Sequence, residues 1–397
     1  MSSTDEPTRG NVPEFRRGTG SSPARRAKRL ALAAVAVLAI ALATAAAVIA
    51  VQQPPPSPRG LVATLSGPDG QGTCSAAFSP DGRTLAVADC GDSIFLWDMS
   101  ARRWAGTLTS PRCPRGGQVV FSPDGTTLAL FSGGELTTCL WNLATRRETT
   151  LTDPGPRPYV AWTQGAFSPD GTTLAVADTT RNVYLWNLAD GRVTATVPAS
   201  GDCGPVCPVA FSPDGTLLAV GENDGSGDHV YIWDVTTRRW IATLTDPGNS
   251  VTGGVTGGGV VSLAFGRDGT LAVGDGDGRA YLWDVAARRL TRTIAPPVNA
   301  AQGNASISKD GAPYPAPGAF DHSVMAALSP DGALLAVNAS FGYGTDLYDA
   351  ATGNRLVTLT DPGGKLSEAT SVVFSPNAAM IAVTDSNGRT YLWRAAG

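Results

Sequence analysis

One short sequence unit recurs seven times along the chain. The pentapeptide Phe-Ser-Pro-Asp-Gly starts at Phe78, Phe121, Phe167 and Phe211. Looser copies start at Phe265, Leu328 and Phe374. An aromatic residue, usually followed by Asp or Asn, comes 18 to 22 residues after the start of each copy: Trp97, Trp141, Trp186, Trp233, Trp283, Tyr348 and Trp393. The fold must therefore accommodate a sevenfold repeat.

The residues of each unit predict short antiparallel strands. Ser79-Pro80-Asp81-Gly82 fits a type I turn, since Pro sets φ at the second position, Asp bonds locally and Gly relieves the last. The flanking segments TLAVA and SIFLW are β-prone and apolar on both faces, as expected for sheets sandwiched between neighbours. A repeat of about 40 to 50 residues with four such strands is typical of a β-propeller blade.

With these motifs in every unit, residues 61–397 resemble the WD-repeat propeller family. The resemblance implies an all-β fold, a seven-bladed β-propeller of four-stranded antiparallel blades. The chain ends one strand short after YLWRAAG, whereas LVATL at Leu61 to Leu65 precedes the first complete unit. The way this family closes its ring implies that this early strand completes the last blade.

The chain departs from the family in its buried polar residues. Family members often carry a Gly-His pair before the first strand of a blade, and the His joins a hydrogen-bond network with Asp, Ser or Thr, and Trp. Here the two histidines, His229 and His322, lie elsewhere in the repeat, so the network is incomplete in every blade. We expect Asp89, Asp178 and Asp385, at equivalent turn positions, to cap backbone amides alone.

The N-terminal region divides into three segments. Residues 1–29 lack apolar periodicity and carry seven basic and three acidic residues, which indicates a disordered basic tail. Residues 30–51 form an uncharged apolar run of 22 residues, long enough to cross a bilayer as one α-helix. Residues 52–60 form a Pro-rich linker. A cleaved signal peptide is the alternative, because Val48-Ile49-Ala50 offers a small-residue cleavage site.

The flanking charge predicts the orientation of this segment. Basic residues lie on its N-terminal side, so the positive-inside rule places the tail in the cytoplasm and the propeller outside, on a single-pass cell-membrane protein. Beyond residue 51 acidic groups outnumber basic ones, which argues against nucleic acid as a partner. The composition, with many Ala and Gly and few Lys, is consistent with a bacterial source.

Export permits disulfides, and the six cysteines are placed to form them. Cys74 and Cys90 flank the first hairpin, and Cys113 and Cys139 are placed similarly around the second. Cys203 and Cys207 span a short turn in CGPVC. We predict three bridges, one for each pair, with free buried thiols as the alternative.

The family's loop arrangement suggests where a partner binds. Connections from the fourth strand to the next blade, and turns between the second and third strands, lie on one face, called the top. Two connections there are long, residues 246–260 and 295–322, and long loops are often functional. We predict that aromatic residues of this face bind a protein or cell-envelope ligand: Tyr159, Trp162, Tyr314, Phe320, Phe341 and Tyr343. The alternative is that these aromatic side chains pack down onto the ring and bind no partner.

The opposite, bottom face carries pairs of arginines, at residues 102–103, 146–147, 238–239 and 288–289. We expect them to pair with Asp residues of the neighbouring Pro-Asp-Gly turns. The alternative is that they also contact anionic lipid headgroups. The linker should enter at this face, since the strand at Leu61 runs from bottom to top.

No catalytic motif is found in a context that would support it, so we predict a non-enzymatic binding scaffold without a cofactor or metal. The sequence GDGDGR at Gly274 to Arg279 looks like a calcium loop but lacks the later Glu. Two other functions remain open. One is an enzyme that uses the central channel, with or without a bound metal, and the other is a sensor partner of a membrane kinase.

Overall fold

The fold is described from a computed structural model of the 397-residue chain. The described residues are 60–67, 70–113, 117–131, 137–152, 154, 164–177, 182–198, 207–223, 228–245, 260–275, 279–294, 325–338, 344–360 and 369–395. The predicted tail and the predicted membrane helix at residues 30–51 lie outside them. None of the described elements is a helix with the length and apolar character to span a bilayer.

The described strands form seven four-stranded antiparallel sheets, as the repeat predicts. Blade 1 contains β2 (Thr73–Phe78), β3 (Thr84–Asp89), β4 (Ser93–Asp98) and β5 (Arg103–Thr109). Blade 2 contains β6 (Val119–Phe121), β7 (Thr127–Phe131), β8 (Thr137–Asn142) and β9 (Arg147–Thr152). Blade 3 contains β10 (Gln164–Phe167), β11 (Thr173–Ala177), β12 (Asn182–Asn187) and β13 (Arg192–Pro198).

The second half of the ring repeats this order. Blade 4 contains β14 (Val209–Phe211), β15 (Leu217–Asn223), β16 (Asp228–Asp234) and β17 (Arg239–Thr245). Blade 5 contains β18 (Val260–Phe265), β19 (Thr270–Asp275), β20 (Ala280–Asp284) and β21 (Arg289–Ile294). Blade 6 contains β22 (Met325–Leu328), β23 (Leu334–Asn338), β24 (Gly344–Asp349) and β25 (Arg355–Thr360). We call the four strands of a blade a to d in chain order.

Blade 7 is built from both ends of the propeller sequence. It contains β26 (Ala369–Phe374), β27 (Met380–Asp385) and β28 (Arg389–Arg394), and its d strand is β1 (Leu61–Ser66). β1 pairs antiparallel with β28, with Leu61 opposite Trp393 and Leu65 opposite Thr390. The prediction that the early strand completes the last blade is therefore confirmed.

The hydrophobic core is divided among seven clusters, each formed by two consecutive blades. The cluster that closes the ring joins Leu65 and Leu392 of blade 7 to Leu85 and Phe95 of blade 1. Most of the repeated aromatic residues lie in these clusters and are buried, although Trp393 is half-buried. The apolar character of both strand faces thus has a structural cause, because each blade is covered by two neighbours.

The repeated Ser-Pro-Asp-Gly turn joins strands a and b. In blade 1 the Gly82 amide donates to the Ser79 carbonyl (2.8 Å), and Gly82 has a φ of +70°. The Ser79 hydroxyl donates to Asp81 Oδ1 (2.6 Å), and the same oxygen accepts the Arg83 amide (3.0 Å). The buried Ser thus holds the Asp, and the Asp holds the start of the next strand.

The serine hydroxyl at this position lowers the pKa of the turn aspartate in five blades. In each case the serine hydroxyl that donates to the carboxylate is the main cause holding the pKa of the aspartate below its ordinary value of 3.8. The five residues are Asp81, Asp124, Asp170, Asp214 and Asp331. In blade 7 the place of the turn aspartate is taken by Asn377, whose Oδ1 accepts the Ser375 hydroxyl (2.8 Å) and the Ala379 amide (3.1 Å). An amide thus makes the same turn without a titrating group.

Two of the repeated tryptophans bury a polar group that is not hydrogen-bonded. The indole N–H groups of Trp186 and Trp233 are buried and have no hydrogen-bond partner within the described part of the chain. This agrees with the incomplete histidine network expected from the sequence.

Closing the ring should contribute strongly to stability. Leu65 is 4% exposed in the cluster between blades 7 and 1, so Leu65→Ala should lower the free energy of unfolding by about 2 to 5 kcal/mol. Leu61→Ala, on the same strand at 37% exposure, is the matched control and should cost much less. Urea unfolding followed by tryptophan fluorescence measures both. Equal losses would show that the seam cluster does not carry the closure.

The five turn aspartates should make stability depend on acid pH. Because folding lowers their pKa, their stabilising contribution is complete above the ordinary value of 3.8 and is lost as the pH falls through the folded-state values. As the pH falls below the ordinary value of 3.8, the free energy of unfolding of the native chain should therefore fall more steeply than that of D81N/D124N/D170N/D214N/D331N. Parallel urea-derived curves for the two proteins would contradict this. Asn377 provides the native precedent for the substitution.

Candidate functional site

The candidate site is the top rim, which we define as the b–c turns and the connections from each d strand to the next a strand. Antiparallel pairing places these segments at the same end of every blade. The long connections identified from the sequence join strands at this rim: residues 246–259 follow β17, and residues 295–324 follow β21.

All six predicted partner-binding residues lie outside the described residues. Tyr159 and Trp162 fall between β9 and β10, Tyr314 and Phe320 fall between β21 and β22, and Phe341 and Tyr343 fall between β23 and β24. The strands on either side of each segment end at the top rim. Their role in binding stays a prediction.

A disulfide holds the first b–c turn to the a strand of blade 1. Cys74 in β2 is bonded to Cys90, which follows β3, and their Cα atoms are 5.2 Å apart. The Cys90 amide also donates to the Gly72 carbonyl (2.9 Å). The predicted bridge is confirmed, and it fixes the segment through which the chain passes from blade 7 to blade 1.

A second disulfide anchors the connection between blades 1 and 2. Cys113 and Cys139 are bonded, with a Cα separation of 6.3 Å, and neither is exposed. The pairing is confirmed, but the placement differs from the expectation. Cys113 lies in the connection that follows β5, and Cys139 lies within β8, the c strand, so the bridge does not flank the a–b hairpin. It ties the top rim to the interior of blade 2.

The third predicted bridge is only partly described. Cys207, at the start of blade 4, is disulfide-bonded and 3% exposed. Its predicted partner, Cys203, lies outside the described residues. No described cysteine is free, so the alternative of free buried thiols is wrong for the four cysteines of blades 1 and 2.

Buried carboxylates cap the b–c turns. Asp89 Oδ1 accepts the amides of Gly91 (3.0 Å) and Ser93 (2.9 Å), and Asp89 is 2% exposed. Asp385 Oδ1 accepts the amides of Asn387 (3.0 Å) and Arg389 (2.8 Å) in blade 7. The predicted capping of backbone amides is confirmed for both. Asp385 does not cap amides alone, because its Oδ2 also accepts the Tyr391 hydroxyl (3.4 Å). Asp178 lies outside the described residues.

Two further buried acidic residues, not predicted from the sequence, lie where b strands end at the top rim. Asp275 Oδ1 accepts the Arg279 amide (2.6 Å) in blade 5, and Glu222 of blade 4 is 1% exposed. Both follow the LAV segment of their b strand by two residues, as Asp89 does, so aligning the repeats would have found them. Asp275 belongs to the segment that looks like a calcium loop, but its carboxylate caps a turn here.

Side-chain hydrogen bonds connect adjacent blades at the upper ends of the a strands. The Thr73 hydroxyl of blade 1 donates to the Asp385 carbonyl of blade 7 (2.6 Å). The Ser75 hydroxyl accepts the Val119 amide across blades 1 and 2 (3.2 Å). Similar bonds run from Gly165 to Gln118, from Ala326 to Ser262, and from Asn338 to Ala369. The inner part of the top rim is therefore held between blades as well as within them.

Within the described residues, no group of three or more His, Cys, Asp or Glu residues is arranged to hold a metal ion. A small cavity between blades 4 and 5 is lined mainly by apolar side chains, with Asp275 and Tyr281 as its polar members. His229 lies in β16 with its ring edge-on to Tyr231, at a centroid distance of 5.9 Å, and His322 lies outside the described residues. The arrangement is that of a rigid support.

The sequence repeats also match a family model. The model "WD domain, G-beta repeat" matches residues 59–98, 194–234 and 247–284. Three segments of the chain thus match WD40 repeats, and the described fold is a seven-bladed β-propeller. All three matches end at the Trp-Asp pair of a c strand, and the first two begin near a d strand, so the sequence repeat is offset from the structural blade. A comparison with curated proteins found no match. WD40 propellers are typically protein-interaction scaffolds.

The capping role of Asp89 can be tested within one turn. Asp89→Ala removes a buried acceptor for two amides and should lower the free energy of unfolding by about 1 to 3 kcal/mol. Asp92→Ala, in the same turn but exposed, is the control and should have little effect. Urea unfolding measures both variants, and equal effects would show that the two amides are satisfied without the Asp89 carboxylate.

Proposed function

We propose that this chain is a non-catalytic, membrane-anchored WD40 propeller that lies outside the cytoplasm and binds a protein or cell-envelope ligand through its top rim. The observation that carries the proposal is the contrast within that rim. Long connections, residues 246–259 and 295–324, lead to β18 and β22, and these two strands are joined across blades by the hydrogen bond from the Ala326 amide to Ser262. The b–c turn of blade 5 is held by the buried cap Asp275. Binding loops carried by a rigid scaffold are a common arrangement in proteins.

The bracing of the rim favours binding over catalysis. Asp89, Asp275 and Asp385 use their carboxylates on nearby backbone amides, which commits them to holding turns. A rim held in one shape lowers the entropy cost of binding a partner. The aromatic residues predicted for binding, Tyr314 and Phe320 among them, belong to the segments between these turns.

The disulfides support the proposed location. Cys74–Cys90 and Cys113–Cys139 join segments at the top rim, and Cys207 is bonded as well. Disulfides persist in oxidising compartments and are rare in the cytosol. Together with the apolar run at residues 30–51 and the basic residues before it, they support a propeller held outside the cytoplasm by one helix.

A substitution of rim aromatics tests the binding role. Tyr314, Phe320, Phe341 and Tyr343 are replaced together by Ala, and proteins joined to the full chain by crosslinking in native membranes are identified. We expect at least one partner found with the native chain to be lost. Ile241→Ala, which removes an exposed apolar side chain from the d strand β17, is the control and should retain every partner.

An unchanged set of partners in the fourfold variant would contradict the proposed role of these residues. The variant's unfolding curve, compared with that of the native chain, separates loss of binding from loss of folding.

A further inference from the structure

Four bottom-face arginines adopt a backbone conformation that favours glycine. Arg102, Arg146, Arg238 and Arg288 occupy the c–d turns with φ values of 49°, 54°, 55° and 51°. In blades 3 and 6 the corresponding turns place Gly191 and Gly353 in this region, with φ values of 66° and 75°. A residue with a Cβ is strained there, and such strain often accompanies a functional position. The chain therefore keeps a cation where glycine is the residue of lower energy.

The side chains of these arginines are exposed and form no ion pair within the described residues, although Asp98 lies opposite Arg103 in the β4–β5 pairing and interacts with its charge. Within the described residues, no carboxylate lies within 4.0 Å of either arginine of any pair; the ion pairs are Arg83–Asp81 and Arg355–Asp346. The expected pairing with the Pro-Asp-Gly aspartates is thus not observed. Those aspartates accept hydrogen bonds within their own turns instead, as Asp124 does from Ser122 and Thr126.

An exposed tryptophan lies beside two of the pairs. Trp104 is the second residue of β5, directly after Arg103, and is 53% exposed, the highest exposure among the large hydrophobic residues of the described chain. Arg146 of blade 2 reaches the same strand: a Cβ placed on Gly106 would lie 3.2 Å from its Nη2. Trp104 and the arginines at 102, 103, 146 and 147 thus form one surface, which we call the bottom arc.

The chain enters the propeller next to the bottom arc. Trp104 lies opposite Trp97 in blade 1, and Leu61 lies opposite Trp393 at the equivalent position of the adjacent blade 7. Leu61 is 37% exposed and follows residues 52–60. This Pro-rich linker spans at most about 28 Å at ~3.1 Å per residue. The bottom arc is therefore on the side at which the chain enters the propeller at Leu61.

We propose that the bottom arc binds anionic phospholipid headgroups of the membrane in which the chain is anchored. This inference rests on the proposed membrane anchor. Exposed guanidinium groups bind phosphates through charged hydrogen bonds, and tryptophan favours the boundary between water and hydrocarbon. The arc is an open edge that extends over two blades, which fits a surface of headgroups rather than one enclosed phosphate. Binding holds the top rim away from the bilayer.

Fluorescence quenching of the reconstituted full chain tests the arc. All nine tryptophans lie beyond residue 60, so quenching by brominated lipids reports the approach of the propeller to the bilayer. Vesicles contain phosphatidylcholine alone or with phosphatidylglycerol, in both leaflets, so either insertion direction presents the same lipids. We expect stronger quenching with phosphatidylglycerol, loss of that difference at high salt, and loss of the quenched component in Trp104→Phe.

Two glycine variants separate lipid binding from folding. R102G/R146G removes two charges from the bottom arc and relieves the strained φ angles, so quenching in anionic vesicles should fall towards the phosphatidylcholine level while stability in urea is kept or raised. R238G/R288G makes the same change in blades 4 and 5 and should leave quenching unchanged. Equal loss in both variants, or equal quenching of the native chain in both lipids, would overturn the proposal.

Two further arms identify the ligand and the anchor. Inorganic phosphate should reduce quenching no more than chloride of equal ionic strength, and a larger effect of phosphate would show a phosphate site instead of a lipid surface. Flotation of the full chain with both kinds of vesicle tests the anchor alone. If flotation fails with both, the anchor is wrong, and quenching of the chain added to preformed anionic vesicles then decides the arc independently.

Discussion

The pairing of β1 with β28 is the interaction on which the rest of the fold depends. Every blade is apolar on both faces, so an open row of blades would leave two hydrophobic sheet faces in water. Bringing Leu65 and Leu392 against Leu85 and Phe95 covers both at once. The hydrogen bond from Thr73 to the Asp385 carbonyl crosses the same seam between residues 312 positions apart. Closure therefore makes the seven local units into one structure.

A closed ring separates the scaffold from the surfaces that differ between blades. The turn at Ser79 to Gly82 and its copies use their polar atoms locally, and the repeated aromatics serve the inter-blade clusters. What varies is found at the two ends of the blades. The top rim has disulfides, caps and long connections, whereas the bottom face has exposed arginines and Trp104. A ligand on one end and a membrane on the other are compatible, because the blades lie between them.

Much of the fold and part of the site were predictable from the sequence. The seven repeats and the four strands of each follow from periodicity and turn chemistry, the closing strand follows from the resemblance to the WD-repeat family, and all are observed. The pairing of Cys74 with Cys90 follows from their positions around one hairpin. The pairing of Cys113 with Cys139 was predicted correctly from an incorrect placement, since Cys113 lies in an inter-blade connection. The arginines were predicted to pair with the turn aspartates, and this pairing is not observed. The sequence does not show that the aspartate carboxylates already accept hydrogen bonds within their own turns.

The sequence alone determined the number of blades, their strand order and the residues of each turn, because these depend on contacts between neighbours in the chain. Only the tertiary structure decided which residues of different blades meet. Arg146 lies against Gly106, and the buried Cys139 is bonded to a connection that precedes its blade. It also revealed the left-handed backbone of Arg102, where the repeat elsewhere has Gly191. Contacts of this kind form between residues of different blades. Their partners cannot be found from the repeat, because the number of residues between them differs from blade to blade.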